Sequence, residues 1–139
     1  MGREDVSSRC NAIEECYEFL LAYAGQGLSG KENSQAGSHV REFLNRAVEA
    51  LTGLSEAYTR AVKEENLQPA DRYLLFLAVL EKDARDSLAS IQLVLAQATI
   101  SSQLIDNLNA SIHLRALLTD LFLIDEILKP QQVAANPPL

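Results

Sequence analysis

Glycine and proline are scarce in this chain, 6 and 4 among 139 residues, and two of the prolines, Pro137 and Pro138, stand beside its end. Long helices therefore meet few breakers. Cysteine is scarcer still, with only Cys10 and Cys16. On one helix, six residues of separation set them about 9 Å apart along the axis and on different faces. A disulfide needs Cα atoms within roughly 7 Å. Both are read as free thiols, Cys10 in the core and Cys16 at its margin.

Histidine is limited to His39 and His113, and each has alanine, Ala36 or Ala110, three residues before it. A ferritin-like di-iron centre takes Glu-x-x-His from two helices, so that centre is excluded. The Cys-x-x-Cys-His of a covalently attached haem is missing too. The two histidines are expected about 18 Å apart along the helix direction, too far to share one metal. No metal and no cofactor are expected.

An excess of basic charge is also missing. The net charge is −7, and the 12 lysines and arginines are scattered rather than clustered. Nucleic acid and anionic membrane surfaces are disfavoured as partners, and solubility accounts for the acidic balance. No uninterrupted apolar run approaches about 18 residues, so no membrane-spanning helix is expected. No basic segment leads into an apolar block near the start, as a secretory signal would. The cytoplasm is the expected compartment.

What is present is helical periodicity. The chain is 47% hydrophobic and 22% charged, as in an ordinary globular domain. Apolar residues step by fours and threes through Val6, Cys10, Ile13, Tyr17, Leu20, Leu21 and Ala24, with Gly25 as a natural stop. A polar, glycine-bearing connection follows to Ser38, a suitable helix cap. Val40, Phe43, Leu44, Ala47, Val48, Leu51, Leu54, Tyr58, Ala61 and Val62 then form one stripe, interrupted by Gly53, a sign of a close helix crossing. Pro69 suits the first position of a third helix. Ser101 and Ser102 open a fourth, which is expected to stop at Pro130.

The pattern predicts an all-α domain of residues 1–129 with helices over about 4–24, 39–66, 69–98 and 101–129, and a flexible tail over 130–139. Short turns between long helices favour an antiparallel up-down-up-down four-helix bundle.

Two stretches carry more apolar surface than such a bundle needs: the start of the third helix and the end of the fourth. Leu75, Val79, Leu117, Leu121, Leu123, Ile124 and Ile127 are read as one interaction patch at a common end of the bundle. Soluble monomers rarely leave such a patch open, and a two-fold homodimer is the commonest cover. The chain is therefore expected to be a non-enzymatic accessory protein, adaptor or chaperone-like, whose partner is a second copy or another protein.

Other candidates are weaker in pattern. Asn109, His113 and Arg115 suggest a polar layer in mid-bundle. Arg115 continues the stripe Leu108, Ile112, Arg115, Thr119, Phe122, so its guanidinium needs a carboxylate from Glu14, Glu18, Asp83 or Asp86. Such a layer either fixes helix register or holds a small anionic ligand. The segment from Gly25 to Lys31 spells Gly-x-Gly-x-x-Gly-Lys but follows a helix rather than a strand, so it lacks a dinucleotide context. An anion held by Lys31, Ser38 and Arg41 is what survives of that motif, against a plain loop. Glu14-Glu15 and Asp125-Glu126 are adjacent pairs that point different ways on a helix, and no catalytic set emerges.

Overall fold

A computed structural model describes residues 2–30 and 35–135, with side chains over 2–30 and 38–129. Six helices follow one another: α1 (Gly2–Ala24), α2 (Gln35–Leu51), α3 (Leu54–Glu64), α4 (Ala70–Leu95), α5 (Ser102–Ala110) and α6 (His113–Ala135). No strand occurs among the described residues. α1 packs on α2, α3 and α5, while α4 packs on α6, α3 and α2.

The second predicted helix is broken between Leu51 and Leu54. Gly53 takes a left-handed conformation, φ 85°, which a side chain resists. A Cβ there would lie an ordinary 3.6 Å from the Arg9 guanidinium. The glycine therefore serves the turn and not a close crossing of helices. Arg9 then finishes α2: its Nη1 donates to the carbonyls of Ala50 at 3.0 Å and Glu49 at 3.3 Å. A cation on the last carbonyls complements the helix dipole. Asp5 holds that guanidinium in place at 2.9 Å. Arg41 does the same for α4, donating to the carbonyls of Leu95, Gln97 and Ala98 at 3.2, 2.7 and 3.1 Å. Pro69 stands just before α4, not inside its first turn.

The fourth predicted helix is broken at Ser111–Ile112, where no glycine or proline marks the sequence. Ile112 sits at φ 68°, a costly place for a branched side chain. Ser111 Oγ donates back to the Leu108 carbonyl, and the Ile112 carbonyl accepts the Ala116 N–H at 2.8 Å to start α6. This break shifts the phase of the buried stripe. Ile105 and Leu108 lead to Leu114, Leu117, Leu121, Ile124 and Leu128, not to Ile112, Arg115, Thr119 and Phe122.

Pro130 does not end α6, whose backbone continues to Ala135. A proline lacks its own N–H donor and crowds the carbonyl four residues before it, yet the helix goes on past it at a cost of about 3 kcal/mol. Ser101 caps α5 as its sequence suggests, accepting the Leu104 N–H at 3.0 Å. Ser102 is buried instead, donating to the Tyr23 carbonyl at 2.6 Å and accepting the Leu28 N–H at 2.9 Å. Tyr23 Oη donates to the Ile100 carbonyl at 2.6 Å. These bonds fasten the segment after α1 to the turn before α5.

The core is continuous from Val6 to Leu128. Cys16 belongs to it fully, and Tyr17 takes the margin. The stripe on α1 is narrower than expected, leaving Leu21 exposed. Both cysteines are free. No described helix is long and apolar enough to cross a membrane.

Candidate interaction surface

Of the seven predicted patch residues, four lie on the outside. Leu75 is 64% exposed and Ile127 43%, with Val79 and Leu123 between these values. They sit one turn apart on each helix, Leu75 and Val79 on α4 and Leu123 and Ile127 on α6, and these two helices pack together. Leu117, Leu121 and Ile124 are buried and belong to the core. Their burial follows from the break at Ile112, which turns that row of α6 inward. Pattern alone does not single out Leu93 (68% exposed), Ile112 (55%) or Phe122 (57%). Leu93 follows Leu75 and Val79 along one side of α4, and that spacing is the available signal.

Farther along the same pair of helices, α4 and α6 meet through two carboxylates, Asp83 and Asp120. The Asp120 Oδ2 is shut off from solvent and has no donor within reach. Its neighbour across the helix contact is Asp83, whose carboxylate bonds it only when a proton is shared. Burial first, and Asp83 second, push the Asp120 carboxyl up to about 7. Beside it Lys82 and Asp86 pair at 2.9 Å. The Lys82 partner, and to a lesser degree His113, keep the Asp86 carboxyl below its ordinary range.

A second polar group is buried between α1, α3 and α6. Tyr58 Oη donates to Asp125 Oδ1 at 2.7 Å and lies 3.2 Å from Cys10 Sγ. Burial pushes the Tyr58 hydroxyl upward and the Cys10 thiol up to about 12. Burial likewise takes the Cys16 thiol up to about 12. Both thiols are protonated at neutral pH and so are poor nucleophiles. Asp125 is also raised by burial despite the tyrosine bond. The adjacent acids of α6 thus divide: Asp125 turns inward and Glu126 outward to Lys129 at 3.4 Å. At the open end of this group, Arg3 pairs bidentately with Glu65.

The polar trio is not gathered into one site. Asn109 on α5 donates to the Leu20 carbonyl of α1 at 3.3 Å, while its Oδ1 is buried without a partner. His113 opens α6 on the side of Asp86, a residue of α4. Arg115 is exposed. Its place in a seam holds only for an unbroken helix; beyond Ile112 the same position faces solvent.

The anion reading of the first connection loses a ligand. Arg41 is committed to the α4 carbonyls, and Ser38 is exposed. Lys31 lies outside the described residues. Gly30, at φ 88°, packs so tightly on Ile100 that a Cβ would stand 2.9 Å from its backbone.

Between α1 and α2 runs an open groove of about 740 Å³, whose two arginines are both committed, Arg46 to Glu15 at 3.0 Å and Arg9 to Asp5 at 2.9 Å. Among the described residues no group of three or more His, Cys, Asp or Glu could hold a metal ion. No family model, curated protein or solved structure matches this chain.

Proposed function

We propose that this chain is a non-enzymatic interaction protein, an accessory or adaptor-like helical bundle whose working surface is the outer face of α4 and α6. In this reading its helices form an antiparallel up-down-up-down four-helix bundle, with α2–α3 and α5–α6 each acting as one broken member. The observation that carries the proposal is the exposure of Leu75, Val79, Leu123 and Ile127 on two helices that pack together. Each large aliphatic side chain left in water forgoes about 1.5–3 kcal/mol of burial. A folded chain keeps several of them on adjoining helices when something else covers them. The partner is a second copy of the chain or another protein.

The test is the double variant Val79→Glu with Leu123→Glu. It is expected to abolish self-association or partner capture while leaving the helical circular dichroism intact. Association equal to that of the unaltered chain would contradict the proposal.

One observation favours a second reading, a small-molecule ligand that brings a hydrogen-bond donor to Asn109. The unpartnered Oδ1 of Asn109 is a buried acceptor that calls for a donor. Under this reading such a ligand raises the melting temperature and Asn109→Ala removes that rise. A metabolite screen without any shift would reject it.

A further inference from the structure

The outer face of α4 carries a second stripe with the spacing of a coiled-coil seam. Leu75, Val79, Lys82, Asp86, Ala89 and Leu93 follow one another in steps of four, three, four, three and four. Residues so spaced line one side of a helix and can meet a partner helix along its length. Leu75, Val79, Lys82, Ala89 and Leu93 are exposed and Asp86 is half-buried, so the stripe is open to solvent over about 27 Å of helix. Its ends are apolar and its middle is charged, with the positive residue toward the N-terminal end.

That order is symmetric about Ala84 in a particular way. Leu75 and Leu93 each lie nine residues from it, Val79 and Ala89 five, and Lys82 and Asp86 two. Two copies of α4 laid antiparallel across this centre would set Leu75 on the partner's Leu93 and Val79 on the partner's Ala89. A larger side chain thus faces a smaller one, and leucine faces leucine at both ends. Lys82 would meet the partner's Asp86, and Asp86 the partner's Lys82. Laid parallel and in register, the same helices would oppose lysine to lysine and aspartate to aspartate. Charged residues at such positions set orientation and register. Within one chain, Lys82 and Asp86 already pair at 2.9 Å with the lysine side chain largely exposed. Two such pairs brought face to face give an alternating four-charge cluster without stripping any buried ion.

We infer that a second copy of this chain occupies the outer face of α4, the two α4 helices running antiparallel about Ala84 with Lys82 and Asp86 paired across the two-fold axis. This rests on the reading of the α4–α6 face as an association surface and names its occupant.

Charge reversal tests it in the full-length chain by sedimentation velocity over a dilution series, with circular dichroism as the check on folding. Lys82→Glu leaves the middle of the seam wholly negative and facing an equally negative copy; Asp86→Lys does the reverse with positive charge. Each alone is expected to weaken the dimer roughly tenfold or more. An equimolar mixture of the two variants is expected to restore it as a heterodimer, and the double variant Lys82→Glu/Asp86→Lys to restore it as a homodimer. Single reversals that leave association unchanged, or a mixture that fails to recover it, would overturn the assignment. An unaltered chain that stays monomeric would also overturn it, yet leave the surface to another protein. If Leu75→Glu abolishes association that charge reversal spares, only the antiparallel register falls. If neither change affects association, the surface itself is wrong.

Discussion

On the inward face of α4, Leu77, Leu80, Ala84, Ser87, Ile91 and Val94 are buried. On its outward face Leu75, Val79 and Leu93 follow the same alternation of threes and fours and remain exposed. The two stripes differ in what interrupts them. The inner one holds a serine, whose Oγ is buried without a partner. The outer one holds a lysine and an aspartate. A neutral interruption suits a dry core, where an unpaired charge would be costly. A charged one suits a surface open to solvent, and it would set the register of the proposed association. Spacing therefore says that a helix face can be covered, and the chemistry of its interruptions separates the face the chain covers itself from the face for which an outside cover is proposed.

The sharpest way to break this contrast is to cut into the inner stripe. Leu80→Ala removes a fully buried side chain and is expected to cost about 2–5 kcal/mol of folding stability, read from chemical denaturation. A loss no greater than that of an exposed substitution would show that the two faces are not distinct. The contrast on α6 depends on the break at Ile112. Ile112→Gly relieves a left-handed conformation at an exposed residue, and a gain of about 1 kcal/mol is expected. A loss of stability would mean that the helix is not turned there as described.

Between the faces lies the Asp83–Asp120 contact. Asp120 is raised from an ordinary aspartate value to about 7 in the folded chain. The folded state therefore binds more protons than the unfolded one over that interval. Its contribution to stability is full below about 4 and disappears as the pH rises through about 7. Asp120→Asn, which keeps a donor for Asp83 at every pH, is expected to melt above the unaltered chain at pH 8 and to lose that advantage at pH 4. Parallel melting curves for the two chains at both pH values would contradict this. The smallest effect on stability belongs to the outer stripe. Leu75→Glu with Leu93→Glu is expected to change folding stability by within about 0.5 kcal/mol per site, although it removes the apolar ends of the seam.

Much of this architecture was legible from periodicity. α1 and α4 lie close to their predicted spans, because each stripe runs without a breaker to a clear end. The break at Gly53 left a mark in the sequence, but a glycine inside a helix pattern fits a close packing contact and a turn equally well. Only its positive φ and the Arg9 cap decide between them. The break at Ile112 left none: isoleucine is a poor left-handed residue, and tertiary packing overrides that preference. With it went the row of α6 that faces inward. Pattern therefore reads Leu117, Leu121 and Ile124 as surface and Arg115 as seam, the reverse of where they lie. The half-buried acids Asp120 and Asp125 had a signal that pattern reading passes over, as charges lodged within an oily run. Their partners, Asp83 and Tyr58, come from distant segments that only the fold brings near.

The most direct test of self-association through the outer face of α4 is solution mass by light scattering over a dilution series, for the unaltered chain and for Leu75→Glu/Leu93→Glu side by side. A mass of twice the single chain that dissociates on dilution, against a variant that is monomeric and equally helical, is the predicted result. Equal masses for the two chains at every concentration would contradict it.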